Sequence, residues 1–282
     1  MPNALDLRRR IKGVRNIQKI TRAMKMVAAV RLRKAQERVK DNQLYFQGVK
    51  RVIEAVLKSG DEFQHPLFTE REIVRTGYLV IGADKGLAGS YGSNLVKAVQ
   101  RQLNQAGQAG LVVVGRKVRD YFERRKAVID KAYIGISEKP EYRYAAEIGA
   151  AVSELYTSGR YDKVDLIYTE FCSSSVQKIT VEQLLPLVCE AAPILLPAQQ
   201  IYEPSMTEVL AEAAVKYLEA AVYRALIHAA ASEVASRLQA MSLATDNAQD
   251  LISQLELDYN KVRQANITRE ISEIVGGAEA LR

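Results

Sequence analysis

Residues 205–275 run for 71 positions without a glycine or a proline. At a rise of about 1.5 Å per residue, such a stretch predicts a helix on the order of 100 Å long. A chain of 282 residues cannot bury a rod of that length inside its own core. The helix must therefore lie along a partner helix or enter another assembly, and this shape precedes any question of chemistry.

The pattern of apolar residues supplies the partner. Val234, Leu238, Met241, Thr245, Ala248, Ile252, Leu255, Tyr259, Val262 and Asn266 follow the alternating 4,3 spacing of a heptad seam. The other end of the chain carries a second seam: Leu7, Ile11, Val14, Gln18, Thr21, Lys25, Ala28, Leu32, Ala35 and Val39. The middle of this second seam is polar. Ile17, Ile20, Met24 and Val27 form another stripe beside it, so the helix is apolar on more than one side and expects neighbours on several faces. The two seams predict an antiparallel pair with a left-handed supercoil. Residues 3–59 hold only Gly13 and Gly48, which predicts a helix broken or bent near Gly48. Ser205, with Glu208 three residues on, has the pattern of a capping box and sets the start of the last helix.

The middle of the chain has a different character. Tyr78-Leu79-Val80-Ile81, Leu111-Val112-Val113-Val114 and Val164-Asp165-Leu166-Ile167-Tyr168 read as short strands, with residues 176–181 as an edge strand. Helical patterns occupy 94–105, 116–126 and 144–157. Strands alternating with helices predict a mostly parallel, Rossmann-like α/β sheet covered on both faces. Pro186, Pro193 and Pro197 mark an irregular linker. The expected division is a coiled-coil helix at 1–59, an α/β domain with its linker at 60–204, and a second coiled-coil helix at 205–282.

The net charge of +7 is unevenly spread. Residues 1–51 hold 15 Lys and Arg against Asp6, Glu37 and Asp41, a net +12, which leaves −5 on the other 231 residues. A basic helix of this kind calls for an acidic counterpart: nucleic acid, anionic lipid or an acidic protein surface. Aromatic residues are missing from the basic stretch before Tyr45, which disfavours nucleic acid. Its cations ring the helix instead of opposing one apolar face, which disfavours a membrane surface. No 18-residue apolar run free of charge spans a bilayer. Cys172 and Cys189 are too few for a disulfide framework, and a reducing compartment fits them.

Catalytic chemistry is thinly represented. Gly82-Ala83-Asp84-Lys85-Gly86-Leu87-Ala88-Gly89-Ser90-Tyr91-Gly92 follows a predicted strand and opens a helix, where a dinucleotide fold holds phosphate. It lacks both the P-loop pattern and the Gly-x-Gly-x-x-Gly spacing, so a tight strand-to-helix turn reads better. His65 and His228 have no companions at metal-ligand spacing. Glu270 and Glu273 share a helix face, which solvation alone explains. Two rivals to a mechanical role stay open at this point: a nucleotide-binding α/β enzyme with helical dimerisation arms, and a nucleic-acid-binding coiled coil.

Particular motifs bear on that choice. Gln18-Lys19-Ile20-Thr21-Arg22-Ala23-Met24-Lys25-Met26-Val27-Ala28-Ala29 resembles the N-terminal helix of the γ subunits of F-type ATP synthases, bacterial type. Met241-Ser242-Leu243-Ala244-Thr245-Asp246-Asn247-Ala248 and Tyr259-Asn260-Lys261-Val262-Arg263-Gln264-Ala265 resemble the family's C-terminal helix. Ile267-Thr268-Arg269-Glu270-Ile271-Ser272-Glu273-Ile274-Val275-Gly276-Gly277-Ala278-Glu279-Ala280 is similar to its signature. Asp84-Lys85-Gly86-Leu87-Ala88-Gly89 resembles the family's glycine-rich turn, with Lys85 where Arg is usual.

The resemblance implies a central rotary shaft inside a ring of three α and three β subunits, one copy per complex. The α/β domain would engage the ε subunit and the membrane c-ring. It implies no catalysis by the chain itself, no cofactor and no metal. It also implies no nucleic-acid partner and no direct insertion into the bilayer, the chain being peripheral on the cytoplasmic side of a bacterial cell membrane. By the same resemblance Arg263, Gln264 and Thr268 would contact a β-subunit loop, with Met24 nearby on the paired helix. Arg8, Arg9, Lys12 and Arg15 would face an acidic lever of the β subunits. Ile274, Val275 and Leu281 would turn in a sleeve, and Tyr202 and Glu203 would lie near the c-ring. No inserted regulatory cysteine pair is evident, so redox regulation of that kind is not expected.

Overall fold

A computed structural model describes residues 3–57, 65–188, 203 and 205–280. The chain divides into two compact units, one of Met1–Ala28 with Leu238–Arg282 and the other of Ala29–Arg237. Two helices contribute to both: α1, Ala4–Leu57, and one that runs unbroken from Met206 to Ala280 for 75 residues. The second is α5 in chain order.

In the first unit α1 and α5 pair antiparallel. The direction follows from side chains that meet across the seam. Arg15 meets Glu256, Gln18 meets Gln249, Thr21 meets Thr245 and Lys25 meets Ser242, so one number rises as the other falls. Leu7, Ile11, Ala28, Met241, Ala248 and Ile252 are buried along this line. Thr21 is buried as well, and Val14, Gln18, Lys25, Thr245, Leu255, Tyr259 and Val262 are half-buried. The seam read from the heptads is thus the seam in the structure. Its end is set by the length of α1: from 263 to 278 every side chain of α5 is exposed, because α1 begins at Ala4.

The second unit is built on a five-stranded sheet in the order β3-β2-β1-β4-β5. Its strands are β1 Arg75–Ile81, β2 Gln108–Val114, β3 Ile129–Tyr133, β4 Lys163–Phe171 and β5 Gln177–Leu185. The first four run parallel, and β5 closes one edge antiparallel to β4. Helices α2 (Tyr91–Gln105), α3 (Arg116–Arg124) and α4 (Tyr142–Thr157) connect them. Alternate strand residues serve opposite faces. Tyr78 and Val80 of β1 join Leu111 and Val113 of β2 against Leu95, Val99, Val118 and Phe122. Leu79, Ile81, Val112 and Val114 pack with Ile148, Val152 and Tyr156 of α4 and with Leu218, Val222 and Ala225 of α5. Both faces are covered, which explains why these strands read as continuous apolar runs.

Two expectations change. The helix is not broken at Gly48: α1 continues to Leu57. A Cβ at Gly48 would meet nothing within 4 Å, so an open surface position tolerates the glycine at a cost of about 1 kcal/mol that tertiary packing absorbs. β3 was not expected, since Asp130 and Lys131 dilute its apolar pattern; it is a five-residue edge strand whose side chains are mostly half-buried. The anticipated box at Ser205 is half-formed, with the Glu208 N–H donating to Ser205 Oγ at 3.2 Å. Cys189, Pro193 and Pro197 lie outside the described residues.

Gly115 is the tightest joint. It has φ of +102°, and a Cβ there would sit 2.8 Å from the backbone of Gly82. Neither backbone can yield cheaply. Gly115→Ala is therefore expected to destabilise the protein by about 3 kcal/mol in urea denaturation, against about 1 kcal/mol for Gly135→Asn, where the positive φ strains the side chain but nothing stands in its way.

Candidate functional site

The turn between β1 and α2 lies where an α/β fold would hold a phosphate, at the N-terminus of α2, but its Asp84 caps a different helix, α3. The Asp84 carboxylate accepts from the Arg116 N–H at 3.0 Å through Oδ1, and from the Ser137 N–H at 3.1 Å through Oδ2. Arg116 is the first residue of α3, so the carboxylate sits at the positive end of that helix. Ser137 Oγ returns a bond by accepting from the Asp84 N–H at 3.0 Å. Burial pushes the Asp84 pKa up, but hydrogen bonds from the Gly135, Arg116 and Ser137 N–H groups and the Ser137 hydroxyl outweigh it and hold the carboxyl below its ordinary value. Leu87 and Gly89 both take positive φ to complete the turn.

Neither histidine is placed for catalysis. His228 accepts from the Phe171 N–H at 3.3 Å through Nδ1, its ring lies edge-on to Tyr168, and burial with the nearby Arg224 charge lowers its pKa. That keeps it neutral near pH 7. His65 Nδ1 accepts from the Leu67 N–H, and burial lowers its pKa too. Among the described residues no group of three His, Cys, Asp or Glu could hold a metal ion.

Apart from Glu203, the described residues singled out for partner contact lie on the other unit's helices. Arg263, Gln264 and Thr268 are exposed on the unpaired end of α5, beside Ile267, Ile271, Ile274 and Val275, the last two 71% and 57% exposed. Met24 is half-buried on α1. The structure does not bring it near Arg263: Thr21 faces Thr245, which puts Met24 about 30 Å along the pair from Arg263 at helical rise. The expectation of proximity is corrected accordingly, because an antiparallel pair sets low numbers on α1 against high numbers on α5. Arg8, Arg9 and Lys12 are exposed, and Arg15 is paired with Glu256. Glu203 is exposed; Tyr202 and Leu281 lie outside the described residues. Ile17, Ile20 and Val27 are each more than half exposed despite their apolar character.

A long antiparallel helix pair that leaves apolar side chains open to solvent defines a subunit shaped for assembly. The comparisons with known proteins agree. The ATP synthase family model matches residues 3–281. The ATP synthase gamma chains of Heliobacterium modesticaldum and Desulfitobacterium hafniense are each 43% identical, and that of Pelotomaculum thermopropionicum 44%, over the full length of both chains. The chain belongs to the ATP synthase gamma chain family. A chain in the central stalk and c-ring structure of the Tetrahymena thermophila mitochondrial ATP synthase matches with a TM-score of 0.64 at 27% identity, covering 80% of this chain and 99% of that one. A chain of the Euglena gracilis mitochondrial ATP synthase rotor shares the fold, with a TM-score of 0.69 at 17% identity and coverage of 94% and 98%.

The Asp84 arrangement carries a pH signature. A carboxyl whose folded pKa is depressed adds stability above its unfolded pKa, near 4, and that contribution is lost as pH falls through the lower folded value. Asp84→Asn is expected to cost about 2 kcal/mol at pH 7 and to make the acid limb of a stability–pH curve shallower. Denaturation of both proteins between pH 3 and 7 checks it.

Proposed function

We propose that this chain is the central rotary shaft of an F-type ATP synthase, coupling ion-driven turning of the membrane c-ring to conformational cycling of the nucleotide sites on the α/β ring. The observation that carries this beyond family membership is the end of α5. A helix does not present Ile267, Ile271, Ile274 and Val275 to solvent on its own account. It does so to be enclosed, and a ring of other subunits encloses it. Aliphatic side chains make a smooth, weakly directional bearing, which suits a part that must turn.

The mechanism follows from symmetry. One asymmetric helix pair within three-fold surroundings offers a different face to each β subunit. Each site is stabilised in a different conformation by its own contacts with the shaft, and a third of a turn permutes those preferences. Coupling free energy arises only from contacts that differ between orientations. The exposed residues supply such differences. Arg263, with a planar donor group suited to carboxylates, works beside Gln264 and Thr268 at a β-subunit loop. Met24 and the exposed Ile17, Ile20 and Val27 meet the ring at a separate level. Arg8, Arg9, Lys12 and Arg15 oppose an acidic surface of the β subunits. Glu203 stands toward the c-ring, and the ε subunit binds the α/β unit.

The chain takes no part in the chemistry, which belongs to the ring. The glycine-rich turn supports that division, since it has neither the P-loop pattern nor the Gly-x-Gly-x-x-Gly spacing. No helix among the described residues is long and apolar enough to cross a membrane. As a rotary shaft, the chain is held at the cytoplasmic side of the bacterial cell membrane by its partners.

Removal of residues 263–282 tests the reading. The side chains of 263–278 are all exposed, so the shortened chain is expected to keep its thermal stability and to copurify with α and β subunits. ATP synthesis by the membrane-bound complex is expected to fall by about tenfold or more, a loss of roughly 1.4 kcal/mol in coupling. Synthesis at the full rate, or a full-length chain that copurifies with no α/β ring, would contradict the proposal.

A further inference from the structure

Within the α/β unit, one face of α5 makes directional bonds to the ends of the sheet. The Arg237 guanidinium donates to the Gly86 carbonyl at 3.1 Å and is ion-paired with Glu233. Ser232 Oγ donates to the Thr169 carbonyl at 3.0 Å, and Ser236 Oγ to Gln177 Oε1 at 3.3 Å. One turn earlier the Ala229 carbonyl accepts from the buried Tyr91 hydroxyl at 3.3 Å. Positions 229, 232, 233, 236 and 237 are spaced i, i+3, i+4, i+7 and i+8, so they share one face. The Glu233 and Arg237 side chains are only 2% and 11% exposed. Gly86 and Tyr91 belong to the glycine-rich turn already anchored by Asp84.

Much of the rest of this helix segment packs through apolar residues: Leu218, Val222, Leu226 and Ile227 are buried among Ala220, Ala221, Ala225, Ala230, Ala231 and Ala235. Further directional contacts, Arg224 with Glu182 and His228 with the Phe171 N–H, reach β5 and β4 and not the glycine-rich turn. Apolar contact is non-directional. It resists pulling the helix off the sheet, but resists rotation about the helix axis less. Hydrogen bonds and ion pairs are directional and do resist it. In a protein that must pass rotation from one part of its chain to another, that difference matters.

We propose that the glycine-rich turn is a torsional clamp on α5, with Arg237 as its principal positioning residue. This rests on the shaft reading. Turning of the α/β unit is delivered to the helix through the bonds of residues 229–237, at the point where α5 continues toward Leu238. Both bonds leave one guanidinium nitrogen, Nη2, whose two N–H groups are held in a fixed plane; a lysine ammonium rotates freely and holds no such direction. Burial pushes the Glu233 carboxyl up, while Arg237 beside it opposes that shift, as a pair closed to water requires.

The test uses the assembled membrane complex carrying Arg237→Ala, Arg237→Lys or the double change Tyr91→Phe with Ser232→Ala. Assembly with α and β subunits, ATP hydrolysis, and ion pumping per ATP hydrolysed are measured in vesicles. Angular fluctuation of a probe on the shaft is read in single molecules. Arg237→Ala is expected to hydrolyse ATP within roughly twofold of the parent, to pump about threefold less per ATP, and to widen the angular distribution. Arg237→Lys should fall between. The double change removes hydroxyl bonds without stranding a buried charge, so it decides the matter if Arg237→Ala fails to assemble: reduced pumping per ATP supports the clamp. Parental pumping per ATP and an unaltered angular width in the variants that assemble would overturn it. Failure of the unaltered chain to join an α/β ring would instead overturn the shaft reading.

Discussion

The contact between α1 and α5 across their shared seam decides everything else about this chain. It joins residues more than 200 positions apart, so the α/β segment lies between its two strands in sequence. Closing so large a loop is entropically unfavourable, and the seam must repay it over many turns. Leu7, Ile11, Ala28, Met241, Ala248 and Ile252 do so by burial. The polar layers in the middle, where Gln18 meets Gln249 and Thr21 meets Thr245, contribute less stability but more discrimination. A seven-residue slip would leave apolar layers nearly as content as before. It would set Thr21 and Gln18 against unlike partners, and polar seam positions fix register for that reason. Register in turn decides which side chains of α5 project past Ala4 without a partner.

The second unit has an architecture that hosts many activities. Its parallel strands, strand-to-helix turns and glycine-rich loop would suit a nucleotide. Asp84 caps the N-terminus of α3, and Gly115 lets the Gly82 backbone approach closely beside it. The turn that remains faces α5. An architecture known for holding ligands is used here to hold a helix.

Much of this was legible in the residues. The heptads predict the seam as far as Val262, because a long exposed pair offers few competing burial sites; Asn266, the last position read, is exposed beyond the reach of α1. The buried strands of the sheet announce themselves as apolar runs for a similar reason. β3 did not, since an edge strand with Asp130 and Lys131 needs little apolar content. The bond from Arg237 to Gly86 was equally hidden: it links positions 151 apart, and no local pattern reports a backbone carbonyl as a partner. Gly48 misled because glycine marks helix ends only where the helix is not otherwise supported. The pairing of Met24 with Arg263 failed on geometry that the two seams already contained, as antiparallel helices place their matching ends far apart.

The seam itself is open to direct measurement. With Cys172 and Cys189 replaced by serine, the pair Thr21→Cys and Thr245→Cys would stand where two hydroxyl oxygens now meet at 2.9 Å. Mild oxidation of the assembled complex is predicted to join them within one chain, seen as a mobility shift reversed by reductant. No cross-link there, or a preferred one between Thr21→Cys and a cysteine one heptad away at Ile252, would show the two helices meeting otherwise.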